Sequence, residues 1–132
     1  MDFNKEHSIE TYRSLIKVSL EGLKTLLLIN GGAVIAVLAY LGQTKQGPKL
    51  ASYAWFPVGI FVSGVFLCAF AFLGSYCTQF ALYNESVNSG EYNGPPHVIC
   101  LWVTIVLIVL SLLCFAGGSF SMLCVLSKQS TI

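Results

Sequence analysis

Charged side chains are absent from three stretches of the chain, residues 25–44, 50–84 and 98–127. Each is at least as long as the about 20 residues needed to cross a ~30 Å hydrocarbon core as an α-helix. The runs are continuously apolar and do not alternate in twos, which excludes the strands of a membrane barrel. Ahead of the first run, Glu6, Glu10, Arg13, Lys17, Glu21 and Lys24 recur every three or four positions. That spacing places them in one stripe of a helix, with Ile9, Tyr12, Ile16, Leu20, Leu23 and Leu27 on another face. Glu10–Arg13 and Lys17–Glu21 can pair along the stripe. No proline interrupts residues 5–41, so the pattern predicts one helix of roughly 55 Å at about 1.5 Å per residue. Its amphipathic segment, residues 5–24, is expected to project from the bilayer or lie along its surface.

Gly42, Gly47 and Pro48 predict a short turn over residues 43–49 and an antiparallel second helix, residues 51–83. Pro57 falls near its start, where a missing N–H costs least in the first turn and otherwise kinks the helix. Tyr53, Trp55 and Phe56 suit an interfacial aromatic belt. The far end of this helix grows polar and is expected to emerge beside the start of helix one. Gly90, Gly94, Pro95 and Pro96 mark a loop over residues 84–97, and a third helix is predicted over residues 97–126. The expected fold class is an all-α, three-helix transmembrane bundle in a single membrane domain spanning residues 1–132.

Composition changes the picture only by naming the solvent. The chain is 55% hydrophobic and 10% charged, against roughly 25% charged in a soluble domain, so lipid must cover what the chain cannot bury. A net charge of +1 gives no electrostatic case for nucleic acid. Acids and bases both precede the first apolar run, which is too long for a secretory signal core, so helix one is expected to be retained. Lys and Arg divide four to three between the two sides. With no signal to export the long first helix, the amino terminus is expected in the cytoplasm and the carboxyl terminus outside.

The five cysteines fall in the second and third runs without CxxC pairs, and read as small apolar fillers. His7 and His97 lack metal-ligand spacing, and phosphate loops, nucleophile elbows and paired carboxylates are absent. No enzyme, metal or cofactor is therefore expected. Read linearly, every ionisable group other than cysteine and tyrosine lies outside the spans, which argues against proton-coupled transport. Small and weakly polar residues do lie within them. Asn30, Gly31, Gly32, Ser63, Thr78, Gln79, Thr104 and Ser111 are candidates either for helix packing or for lining a pore. Gly59/Ser63, Gly74/Thr78 and Gly117/Ser121 have the small-xxx-small spacing that admits close helix approach. Ile9, Tyr12, Arg13, Ile16 and Lys17 form a candidate interaction face.

The run Leu26-Leu-Leu-Ile-Asn-Gly-Gly-Ala, continuing to Gly42, resembles the first span of small, uncharacterised bacterial three-span inner-membrane proteins. The resemblance implies an inner-membrane, multi-pass setting and no activity. Three functions stay open. The first is a homo-oligomeric ion channel or pore-forming effector in stress or antiviral defence. The second is an accessory subunit docking a protein partner through residues 5–24, and the third a holin-like lysis protein. A chain this small with almost no exposed domain gains most from self-association.

Overall fold

The computed structural model describes residues 3–43, 47–87 and 96–129, and all of these except Pro96 are helical. α1 spans Phe3–Gln43, α2 Gly47–Val87 and α3 His97–Gln129. α1 and α2 are each 41 residues long, roughly 60 Å at about 1.5 Å per residue, so both exceed a bilayer core. The tip of the predicted turn and residues 88–95 of the predicted loop lie outside the described residues.

Consecutive helices pass one another antiparallel. Tyr12 meets Gln79 and Leu23 meets Cys68 between α1 and α2. Phe61 meets Phe115 between α2 and α3, and Ser111 of α3 meets Gly64 of α2. α2 makes its most extensive contact with α3, while α1 packs chiefly on α2. Two apolar clusters hold the bundle. Leu23, Leu26, Cys68 and Ala71 form one, with Leu107 and Ile108 of α3; Val37, Ala54 and Phe61 form the other, with Phe115 and Met122.

α2 begins one turn earlier than expected. Gly47–Pro48 opens it, because a proline in the first turn loses only an N–H that has no helical acceptor. Pro57 is consequently interior and buried, and the Tyr53 carbonyl forgoes its i+4 donor. Pro96 starts α3 by accepting the Ile99 N–H at 3.0 Å.

All three helices are long and apolar enough to cross a membrane. α3 is the most apolar of the three and also the least buried, with 11% of its most apolar stretch covered. A bundle in water would hide its most apolar helix most. Here it faces outwards, as in a small multi-pass membrane protein whose solvent is hydrocarbon.

Candidate functional site

Polar residues within the bundle converge on one node. Asn30 of α1 is fully buried. Its amide nitrogen donates to the Leu26 carbonyl at 3.1 Å, and has Ser111 Oγ at 3.3 Å and the Ser111 carbonyl at 3.5 Å. Ser111, also fully buried, donates its own hydroxyl to the Gly64 carbonyl at 2.9 Å. One amide and one hydroxyl therefore tie all three helices together. The Asn30 Oδ1 is buried without a hydrogen-bond donor and points where a Cβ on Gly64 would stand. Only a residue without a Cβ lets the Asn30 amide approach α2 this closely.

Two further crossings depend on glycine. A Cβ on Gly74 would lie 2.5 Å from Thr104 Oγ1, and one on Gly118 2.8 Å from the Phe61 ring. Gly31, Gly32, Gly59 and Gly117 have open space in the Cβ direction. The small-xxx-small spacing thus finds one tight approach, Gly74, and passes over Gly64 and Gly118. It could not separate Gly117 from Gly118, because neighbouring positions on a helix differ only in which way they face.

The remaining candidates are satisfied locally. Thr78 and Thr104 are buried, and Ser63 is exposed. Each returns its hydroxyl to the carbonyl four residues back, at 2.8–2.9 Å, the usual resort of Ser and Thr in a helix. Gln79 accepts the Tyr12 hydroxyl at 2.7 Å. Tyr12 and the half-buried Ile16 therefore lie towards α2, while Arg13 and Lys17 are exposed; the Ile9 side chain lies outside the described residues. Within one chain, Asn30, Ser111 and Thr104 are packing residues.

The antiparallel register also fixes the heights of the three helices relative to one another. Exposed Tyr40, Tyr53 and Trp55 mark one end of the bundle; Tyr12, Tyr76, Tyr83 and Trp102 mark the other. From Trp55 to Tyr76 is roughly 30 Å along α2 at about 1.5 Å per residue, the thickness of a hydrocarbon core bounded by aromatic belts. Glu21 and Lys24 fall between these levels, about 13 and 18 Å from Tyr12 along α1. Both are largely exposed, at 65% and 70%, with Lys24 Nζ 3.8 Å from Glu21 Oε1. Leu23 contacts Cys68 at this height, and the surrounding surface of α2 and α3 is apolar, with Phe66, Phe70, Val106 and Val109 exposed. Packing thus moves charges that end before an apolar run in sequence alongside the apolar middle of two other helices. A groove of about 490 Å³ between α1 and α2 is lined by Leu20, Lys24, Leu27, Cys68 and Phe72.

At the Tyr12 end, Glu85 joins α2 to α3. Its Oε1 accepts the His97 backbone N–H at 2.9 Å and its Oε2 lies 2.5 Å from His97 Nδ1. The carboxylate caps the first turn of α3, where helix dipole and orphan N–H groups favour an anion. Sequence spacing does not reveal this pair, since the partners are brought together only by the α2–α3 reversal.

Among the described residues, no group of three or more His, Cys, Asp or Glu side chains could hold a metal ion, and all five cysteines are free. No known family model matches the chain, and no curated protein or solved structure matches it.

Proposed function

We propose that this small multi-pass membrane protein self-associates to form an ion-conducting channel or pore of the bacterial inner membrane, with its amino terminus in the cytoplasm. One observation carries the reading: Glu21 and Lys24 lie on the outer surface of the bundle at the depth of its apolar midsection. A charged side chain at the centre of a membrane helix costs roughly 2.5–3.5 kcal/mol on insertion scales. An exposed i,i+3 pair returns only about 0.3–0.5 kcal/mol, too little to offset two such costs. Charges at this depth face water-filled space or protein in membrane structures. Further copies of the chain supply both, and symmetric association is the usual means. The reading assigns no catalytic role.

Reconstitution tests it. The detergent-solubilised protein is expected to have a mass several times the 14.3 kDa of one chain, and liposomes containing it should release a trapped ion. A single-copy particle bound to an unrelated protein would replace this function with that of an accessory subunit. For orientation, Gln43→Cys should react with a membrane-impermeant thiol reagent in whole cells; protection there would reverse the topology.

A further inference from the structure

We infer that α1 forms the wall of a water-filled axis between copies of this chain, with a charged vestibule at Arg13, Lys17, Glu21 and Lys24 leading to an apolar constriction at Leu28 and Ile35. The inference rests on the channel reading and names its lining.

Those six positions step by three, four or seven residues, so they share one face of α1. The residues α1 gives to its own bundle, including Tyr12, Leu23, Asn30 and Val37, centre on a direction about 140° away around the helix. The charged stripe therefore points out of the protomer along its whole course. Below Lys24 the same face turns apolar, and Leu28 and Ile35 are 71% and 70% exposed. Gly31 lies between them with nothing near its Cβ direction. The protomer supplies no reason for a glycine there, whereas a closely approaching second α1 does. The outward faces of α2 and α3 carry Phe66, Phe70, Val103 and Val106 at the depth of the vestibule, and such a surface is at home in lipid. Among the described residues, only α1 presents charge at that depth.

The lining implies the permeant class. Over the depth of the vestibule, residues 13–24, Arg13, Lys17 and Lys24 face Glu21 alone, so a ring of copies holds a cationic excess there that favours small inorganic anions. Leucine and isoleucine rings close such conduits by expelling water.

Cross-linking reads the arrangement without requiring conduction. In a chain whose exposed Cys77 and Cys124 are changed to serine, Leu28→Cys and Ile35→Cys should form disulfide dimers under copper–phenanthroline in membranes. Phe70→Cys and Val106→Cys should not. Cross-linking at 70 and 106 in place of 28 and 35 overturns the inference. So does rapid labelling of Phe70→Cys and Val106→Cys by an impermeant maleimide, which would put that half of the bundle in water. In liposomes holding potassium chloride, Lys24→Glu should shift the chloride-to-potassium permeability ratio at least tenfold towards potassium. Leu28→Ser should raise basal flux about tenfold. Flux unaltered by either change overturns the lining while leaving a channel. Cross-linking at 28 and 35 with no flux in any variant overturns conduction and the wet axis, leaving α1 as a dry interface between copies.

Discussion

At the scale of single residues, the three-helix crossing rests on Asn30, Ser111 and Gly64. Interhelical hydrogen bonds inside membranes contribute roughly 0.6–2 kcal/mol, and the Asn30 amide also fills its site. Asn30→Ala and Ser111→Ala should each lower stability by about 1–2 kcal/mol on this scale, read from unfolding by a denaturing detergent. Gly64→Ala drives a methyl into the Asn30 amide, and overpacking of this kind costs typically about 1–3 kcal/mol. Gly59→Ala and Gly117→Ala meet open space and should leave the same transition unmoved. Equal damage from all three alanines would refute the assignment of Gly64 as the close approach. The sequence marks Asn30, because an amide in an apolar run needs a partner, and offers Ser111 as a candidate, but it does not pair Asn30 with Ser111 or Gly64. Those partners lie 81 and 34 positions away (30 to 111 and 30 to 64), beyond the reach of any helical periodicity.

At the scale of elements, each helix is legible because hydrocarbon leaves a backbone few choices. Every N–H and C=O must be satisfied within its own segment, so an apolar run of sufficient length becomes a helix. The ends are less legible, since they depend on single contacts. α3 begins where the Glu85 carboxylate, carried on α2, takes the His97 N–H. Glu85→Ala should speed hydrogen exchange at residues 97–100 while residues 104–118 stay protected; unchanged exchange at 97–100 would show that the cap contributes nothing. α1 illustrates both sides. Its stripe of charges is evident from spacing, and its apolar face does pack, with Tyr12 on Gln79 and Leu23 on Cys68. The depth of that stripe is not evident, because periodicity gives the direction a side chain faces and never its height against another helix. Glu21 pairs with Lys24 rather than Lys17, both partners being within one turn.

At the scale of the whole molecule, the protomer is asymmetric around its axis. α2 and α3 present lipid-compatible skin over the full distance between the aromatic belts, while α1 presents charge over the upper half of it. That asymmetry is a property of packing three unequal amphipathic patterns, and in the proposed assembly association between copies removes its cost. Replacing Lys17, Glu21 and Lys24 together by leucine should keep the chain in the membrane fraction. Ion flux from liposomes should fall by at least tenfold, because the wet face would become one more apolar wall. Retained flux would place the conducting path elsewhere.

The amino-acid order alone determined the solvent, the number of helices and the outward direction of the α1 stripe, because each follows from hydropathy and a 3.6-residue period acting locally. Tertiary packing alone set which glycine each crossing uses, which carboxylate caps α3, and the height of Glu21 and Lys24 against α2 and α3. Those features depend on register, and register is set by a few long-range contacts of Asn30, Cys68, Gln79 and Ser111 that no local pattern encodes.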